Sequence, residues 1–365
     1  MCDTMYKYSV KKEVYDMQQF IKEIARGKRG STDLTYEQAK EAARLIASGQ
    51  ATDAQIAAFF IAERIKTENA DELLGFVHAF REKTKEIPLS QPLKDKSIDF
   101  ASPYAGRNSF FATIPVSILL AERGVPAFLH CTEALPPKFG TTIEDVLHSL
   151  QIPQAQTIED IGHVFETLKI GFVNAETISY PLSRIKQVRH EIGVRTLINT
   201  VEKLLNLSNA SSLMMGAFHR TAINKIVPIF ASLPFKHVYV VQGIEGSEDV
   251  PVHRSSFVFT ISEGEMESFI VNPKEFGLFV EEEHFEKKIS VEKQAEYVTR
   301  ILEGESSSEL TYVYNQVVLN AGLRYYLFSY EASIEKGVDY AKRQLAEGLG
   351  WKHLQKWKTQ AISEE

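Results

Sequence analysis

Cysteine is nearly absent: the chain has only Cys2 and Cys131 in 365 residues. Two thiols so far apart build no disulfide framework, so a reducing compartment is expected, and the cytosol fits. The chain also lacks an excess of basic charge, with 41 Lys and Arg against 48 Asp and Glu and a net charge of −7. That balance excludes a surface that holds nucleic acid by bulk attraction and leaves room only for a local basic patch. No stretch approaches about 18 uninterrupted apolar residues, so no membrane-spanning helix is expected. The opening MCDTMYKYSVKKEVYDMQQF lacks the apolar centre of a signal peptide. Internal repeats and low-complexity segments are missing too. What is present is an ordinary globular mix, 44% hydrophobic and 24% charged. The length exceeds the roughly 100 to 200 residues of one domain, so two domains, or one with an appendage, are expected.

From Tyr15 to Glu86 the pattern predicts four helices. Three of them open on a polar residue followed three places on by Gln or Glu: Thr35 with Gln38, Thr52 with Gln55, and Asn69 with Glu72. Each pair is a capping box, in which two otherwise unpaired amides are satisfied reciprocally. Gly49 is placed to end one helix in the left-handed conformation. Apolar residues at helical spacing, such as Ile56, Phe59, Phe60 and Leu73, Phe76, Val77, Phe80, give each helix one face to bury. After EIPLSQPLKDK the pattern changes to short apolar runs (SIDF, PAFLH, KIGFVN, HVYVVQG, SFVFTI) separated by helix-like stretches, which predicts a sheet with α crossovers. From Ser290 to Gly350 helices return. YVYNQVVLNAGLRYYLF is apolar on most sides and reads as a buried helix, whereas the tail WKHLQKWKTQAISEE reads as exposed. The expected division is a helical domain over 1–90, with a tail to about 14, and an α/β domain with C-terminal helices over 91–365.

Several stretches carry residues suited to chemistry. DFASPYAGRNSFFATIP follows a strand, where a phosphate-cradling loop often lies, yet only Gly106 lets the backbone approach an anion. Pro103 removes a donor, Tyr104 adds bulk, and Arg107 offers charge in place of a backbone nest. HCTEALPPKFGTTIEDVL gathers His130, Cys131, Glu133 and Lys138 ahead of a Thr141 to Glu144 capping box. No second Cys or His stands at ligand spacing, so a structural loop is expected there. QGIEGSEDV brings together Glu245, Glu248 and Asp249, an oxygen set that suits Mg²⁺ and equally suits a solvated turn. RIKQVRHEIGVRTLIN carries Arg184, Lys186, Arg189 and Arg195, which fits an anion site or a charged helix face. Two basic spots, Arg26 to Gly30 and Trp351 to Lys358, are candidates for nucleic-acid contact.

The order of LTYEQAKEAARLIASGQATDAQIAAFFIAERIKTENADEL, HEIGVRTLIN, NPKEFGL and NQVVLNAGLRYYLFSYEASIEKGVDYAKRQLAEG resembles the anthranilate phosphoribosyltransferases of glycosyltransferase family 3, from about Gln19 to Gly350. The resemblance implies a small helical N-terminal domain, a large α/β domain of the nucleoside phosphorylase/phosphoribosyltransferase type, and a homodimer joined through the helical part. It also implies displacement of pyrophosphate from phosphoribosyl pyrophosphate by an aromatic amine, with a GTGGD loop, an NxST motif, a KHGNR loop and an acidic metal pair. In this chain the GTGGD positions read SPYAG, Ser102 to Gly106, and the NxST positions read ATIP, Ala112 to Pro115. LHCTE keeps His130 but places Glu133 where the family has Arg. Arg189 stands where the family's arginine meets the anthranilate carboxylate, and Glu248 and Asp249 stand for the metal pair in reversed order. Lys138 and Gly140 also fall on family positions.

The motifs that hold a diphosphate are thus degenerate, and two functions stand as expectations. One is an altered glycosyl or phosphoribosyl transferase, in which Glu248 and Asp249 hold Mg²⁺ and Arg107, His130, Lys138, Gly140 and Arg189 contact an anionic substrate. The other is a non-catalytic binding protein. IARGKRGSTDLT and EGSEDVP resemble a branch of paralogues that lack the transferase motifs and are thought to bind nucleic acid. In that reading Arg26, Lys28 and Arg29 touch single-stranded DNA or another polyanion.

Overall fold

The structure is a computed structural model and describes residues 16–27, 29–217 and 220–360. It opens on the four helices the caps predict: α1 (Met17–Ile24), α2 (Tyr36–Ala47), α3 (Asp53–Lys66) and α4 (Ala70–Arg81). All three expected capping boxes form at the starts of α2, α3 and α4. Gly49 ends α2 with φ of 75°, a conformation that costs a residue with a Cβ. Inside the bundle Phe59, Phe60, Phe76 and Phe80 are fully buried, with ring centroids of Phe59 and Phe76 5.6 Å apart and of Phe76 and Phe80 5.8 Å apart. Such aromatic clusters supply much of a small bundle's cohesion.

The second region is a seven-stranded sheet of β1 (Ile98–Ala101), β2 (Ala127–Cys131), β3 (Ile170–Asn174), β4 (Ser212–Gly216), β5 (His237–Val241), β6 (Ser256–Ser262) and β7 (Glu265–Val271). Their order is β3-β2-β1-β4-β5-β6-β7, with the first five parallel and β6 and β7 antiparallel. Five strands were legible as apolar runs. β4 and β7 were not: β4 is a methionine-rich SLMMG, and β7 is an edge strand whose exposed EMESFIV carries Glu265 and Glu267. Alternation along each strand divides the sheet between two cores. Leu213 and Met215 join the core of the helical bundle, while Met214 faces the C-terminal helices.

The helical lobe is therefore continuous with one face of the sheet. Helix Tyr180–Ile192 packs on α2 and α3, and helices Ile198–Val201 and Arg220–Phe230 pack on α4. The opposite face is covered by Thr113–Glu122 and by the buried helix Thr311–Leu327, as its all-round apolar pattern predicts. The tail departs from expectation: helix Leu349–Thr359 packs on Thr113–Glu122 and buries Leu354 and Trp357, so Trp357 serves packing. One cap also shifts by a residue. The box is Thr142 with Asp145, because Thr141 is drawn into a bridge in which its carbonyl accepts from the Arg107 N–H at 2.9 Å. Among the described residues no helix is long and apolar enough to cross a membrane.

Candidate functional site

In an open parallel sheet the chain leaves adjacent strands in opposite directions at the point where strand order reverses, opening a crevice at their carboxyl ends. Here that point lies between β1 and β4. A cavity of about 570 Å³ occupies it, walled by Pro103, Tyr104 and Ala105 after β1 and by Met215, Gly216 and Ala217 at the end of β4. Arg64 and Thr67 reach it from the end of α3, so it lies between helical lobe and sheet. Thr67 holds φ of 76°, a strained value for a β-branched residue, at the cavity rim.

Of the candidates read from the sequence Arg195 lines this cavity, whereas the expected metal pair and the expected substrate contacts Arg107, His130, Lys138, Gly140 and Arg189 do not. Asp249 is fully buried and both its carboxylate oxygens are taken. Oδ2 accepts from Arg107 Nη2 at 2.6 Å and from the Thr113 N–H at 3.1 Å, and Oδ1 accepts from Arg324 Nη2 at 2.8 Å and lies 2.9 Å from the Thr113 hydroxyl. Burial pushes the Asp249 carboxyl up, but Arg107 and Arg324 outweigh it and hold the group below the ordinary carboxylate range. Glu248 Oε1 accepts from Ser102 at 2.6 Å and Thr113 at 2.5 Å, which leaves only Oε2 without a partner. A divalent ion held by one or two carboxylates needs free oxygens and room for water. One enclosed oxygen next to two guanidinium groups does not fit that requirement. Among the described residues no group of three or more His, Cys, Asp or Glu is placed to hold a metal ion.

Arg107, expected at phosphate, instead points into the core. It donates to Ser247 Oγ at 2.7 Å and to the Phe110 carbonyl, and its guanidinium lies 4.1 Å from the Phe111 ring centroid. Lys138 ion-pairs with Glu245, whose other oxygen accepts from the backbone amides of Asn108 at 3.0 Å and Ser109 at 2.8 Å. The chain's own carboxylate thus occupies a pair of adjacent loop amides of the kind that binds an anion. Gly140 serves the same interlock. A Cβ there would stand 2.6 Å from the Arg107 nitrogen, so its glycine is explained by loop packing.

His130 belongs to a buried relay. Ser208 donates to Asp99 Oδ2 at 2.9 Å, Asp99 Oδ1 lies 2.5 Å from His130 Nε2, and His130 Nδ1 lies 2.5 Å from the Tyr104 hydroxyl. Burial, with Glu202 and Asp99 nearby, raises the Tyr104 hydroxyl well above its ordinary value, so it stays neutral. Cys131 is buried as well, and burial pushes its thiol far above the range of a reactive thiolate. Glu133, the charge reversal, turns outward to pair with Lys186 at 2.8 Å and does not reach the cavity.

Arg189 is committed internally too, with Nη1 2.6 Å from the buried Glu202 Oε2. Of the basic hairpin, Arg26 is tied to Glu23 at 2.6 Å, Arg29 is exposed, and Lys28 lies outside the described residues. The cavity wall draws on residues that sequence reasoning passed over: Arg64, Thr196, Glu202 and Lys203. Only Arg324 carried a usable signal, as one charge within a 17-residue helix otherwise buried on nearly every side. A lone arginine in such a setting demands a buried acid.

A helical bundle joined to a mixed α/β sheet, with the crevice between them, defines the architectural class. Residues 18–84 match the glycosyl transferase family helical bundle domain and residues 105–350 its a/b domain, so the chain belongs to this family. Curated relatives include the anthranilate phosphoribosyltransferase of Pseudomonas putida F1, 29% identical over 327 residues covering 89% of this chain and 93% of that protein. That of Symbiobacterium thermophilum is 27% identical over 332 residues, covering 91% and 94%. The fold is shared with the anthranilate phosphoribosyltransferase of Thermus thermophilus, at a TM-score of 0.77, 23% identity and coverage of 94% of this chain and 98% of that one. It is shared as well with the Saccharomyces cerevisiae enzyme in complex with PRPP and Mg, at a TM-score of 0.79, 16% identity and coverage of 93% and 96%.

Proposed function

We propose that this chain is a family member that does not carry out Mg²⁺-dependent phosphoribosyl transfer and that it uses the crevice to bind an anionic small molecule. The carrying observation is the saturation of Asp249 by Arg107 and Arg324. Two further charges follow the same pattern. Glu245 fills the loop amides, and Glu202 meets Arg189, the position that the resemblance assigns to an acceptor carboxylate. Each of these charges, which a donor, a metal or an acceptor would answer, is answered from within the chain. Displacing the partners of Asp249 or Glu202 would leave a charge unpaired in a low-dielectric interior, at a cost of several kcal/mol on the order of that for breaking a buried ion pair. The homodimer expected through the helical lobe is part of this proposal, and light-scattering mass in solution tests it.

Calorimetry with phosphoribosyl pyrophosphate and Mg²⁺ decides the main claim. No saturable heat is expected, with or without anthranilate, and no anthranilate is consumed in a fluorescence assay. Saturable Mg²⁺-dependent binding would overturn the proposal. A gel shift with single-stranded DNA that fades with salt and weakens in Lys28→Ala/Arg29→Ala would move the reading to the nucleic-acid alternative.

A further inference from the structure

One wall of the cavity carries more positive than negative charge. Three cations, Arg64, Arg195 and Lys203, line it together with two carboxylates, Glu68 and Glu202. By count the lining holds one positive charge more than negative, inside a chain whose net charge is −7, and Glu202 also meets Arg189 at 2.6 Å. Lys203 holds the most exceptional position among these cations. Among the described residues its amine makes no ion pair within 4.0 Å, and the acceptor it reaches is the Gly216 carbonyl at 3.4 Å. Burial lowers its pKa, and the more distant charges of Glu248 and Glu202 offset this only in part. Close by in sequence, Thr196 is 9% exposed, lines the same cavity, and has a hydroxyl with no partner. A buried hydroxyl without a partner and a half-buried amine with one long contact, both facing one space, call for an acceptor that the chain does not supply.

We infer that Lys203 and Thr196 anchor the oxyanion head of an organic acid, a carboxylate or a phosphate monoester, whose apolar body lies against Leu73, Met215 and Ile226. The inference rests on the reading of the crevice as a small-molecule site. A lysine binds an oxyanion as a point charge from a flexible stem, and a threonine hydroxyl adds direction. The apolar wall, with Leu73 from α4, Met215 from β4 and Ile226 from the helix that follows, adds affinity that inorganic phosphate cannot use. The volume of about 570 Å³ admits a ligand of one or two rings and excludes a folded partner.

The test titrates benzoate, phenyl phosphate and inorganic phosphate, without Mg²⁺, into the full chain and into Lys203→Met, Lys203→Arg and Thr196→Val. At least one of the two organic probes binds saturably and more tightly than inorganic phosphate, and which of them it is separates the carboxylate from the phosphate source. Lys203→Met weakens that probe about tenfold or more, Lys203→Arg restores most of it, and Thr196→Val weakens it a few-fold. Lys138→Ala, whose partner Glu245 lies outside the cavity wall, leaves it within about twofold. Thermal melting of Lys203→Met like that of the parent confirms that a lost signal is lost binding. Equal affinity in Lys203→Met, or no binding of either organic probe to the parent, overturns the inference. Mg²⁺-dependent binding of phosphoribosyl pyrophosphate would overturn the proposed function and leave the Lys203 contrast readable by itself.

Discussion

The two sides of the crevice differ in how charge is settled. Around Asp249, two loops and two helices bring Arg107, Arg324, Ser102, Thr113 and Glu248 into a fully enclosed network in which almost every hydrogen-bonding atom of the acids is used. Across the crevice, Lys203 and Thr196 face open volume with few partners. A buried charge is tolerated when its counter-charge is part of the fold, and a charge left unpaired at a cavity wall is tolerated only while water or a ligand reaches it. The first side is closed by the fold itself, and the second is left open to the cavity.

Breaking the enclosed side has the largest expected effect. Asp249→Ala strands Arg107 and Arg324 together and lowers stability by about 3 to 5 kcal/mol in urea unfolding. A loss no larger than that of a surface substitution would mean that another group answers the two arginines. Next comes the relay beneath the cavity. Tyr104→Phe leaves His130 Nδ1 buried without its partner and costs about 1 to 3 kcal/mol, read in the same assay, with no change expected if the Tyr104 contact is incidental.

The helical lobe offers a pH test of the same principle. Glu63 is buried beside Glu72, and burial first, then the Glu72 charge, raises its carboxyl to about 8 despite Lys66 at 3.4 Å. The folded chain keeps this proton up to about 8 while the unfolded chain loses it in the ordinary carboxylate range. Stability therefore falls as pH rises across that interval. Glu63→Gln flattens the decline by roughly 1 kcal/mol or more, and a parallel decline in parent and variant would assign it to another group. The smallest effect is expected at Glu245→Ala. That pair with Lys138 is partly exposed, and its loss costs about 1 kcal/mol or less, with melting temperature as the readout.

Much of the fold was legible because its signals are local. Capping boxes at Thr35, Thr52 and Asn69 act within four residues, and the apolar runs of β1, β2, β3, β5 and β6 report strands with at least one buried face. The failures have equally physical reasons. β7 is an edge strand with a charged, solvent-facing side, and Thr141 yielded its expected cap role to a bridge with Arg107, a residue 34 positions away in sequence. The SPYAG loop was legible as poor in glycine, and the charge pairings around it were not.

The sequence by itself determined the helical bundle, the α/β sheet, the family, and a loop after β1 with Gly106 as its single glycine. Tertiary structure alone decided which charge meets which. Arg107 and Arg324 reach Asp249 across 142 and 75 residues. Periodicity and spacing carry no trace of such distant pairings, because burial and counter-charge are properties of the packed chain.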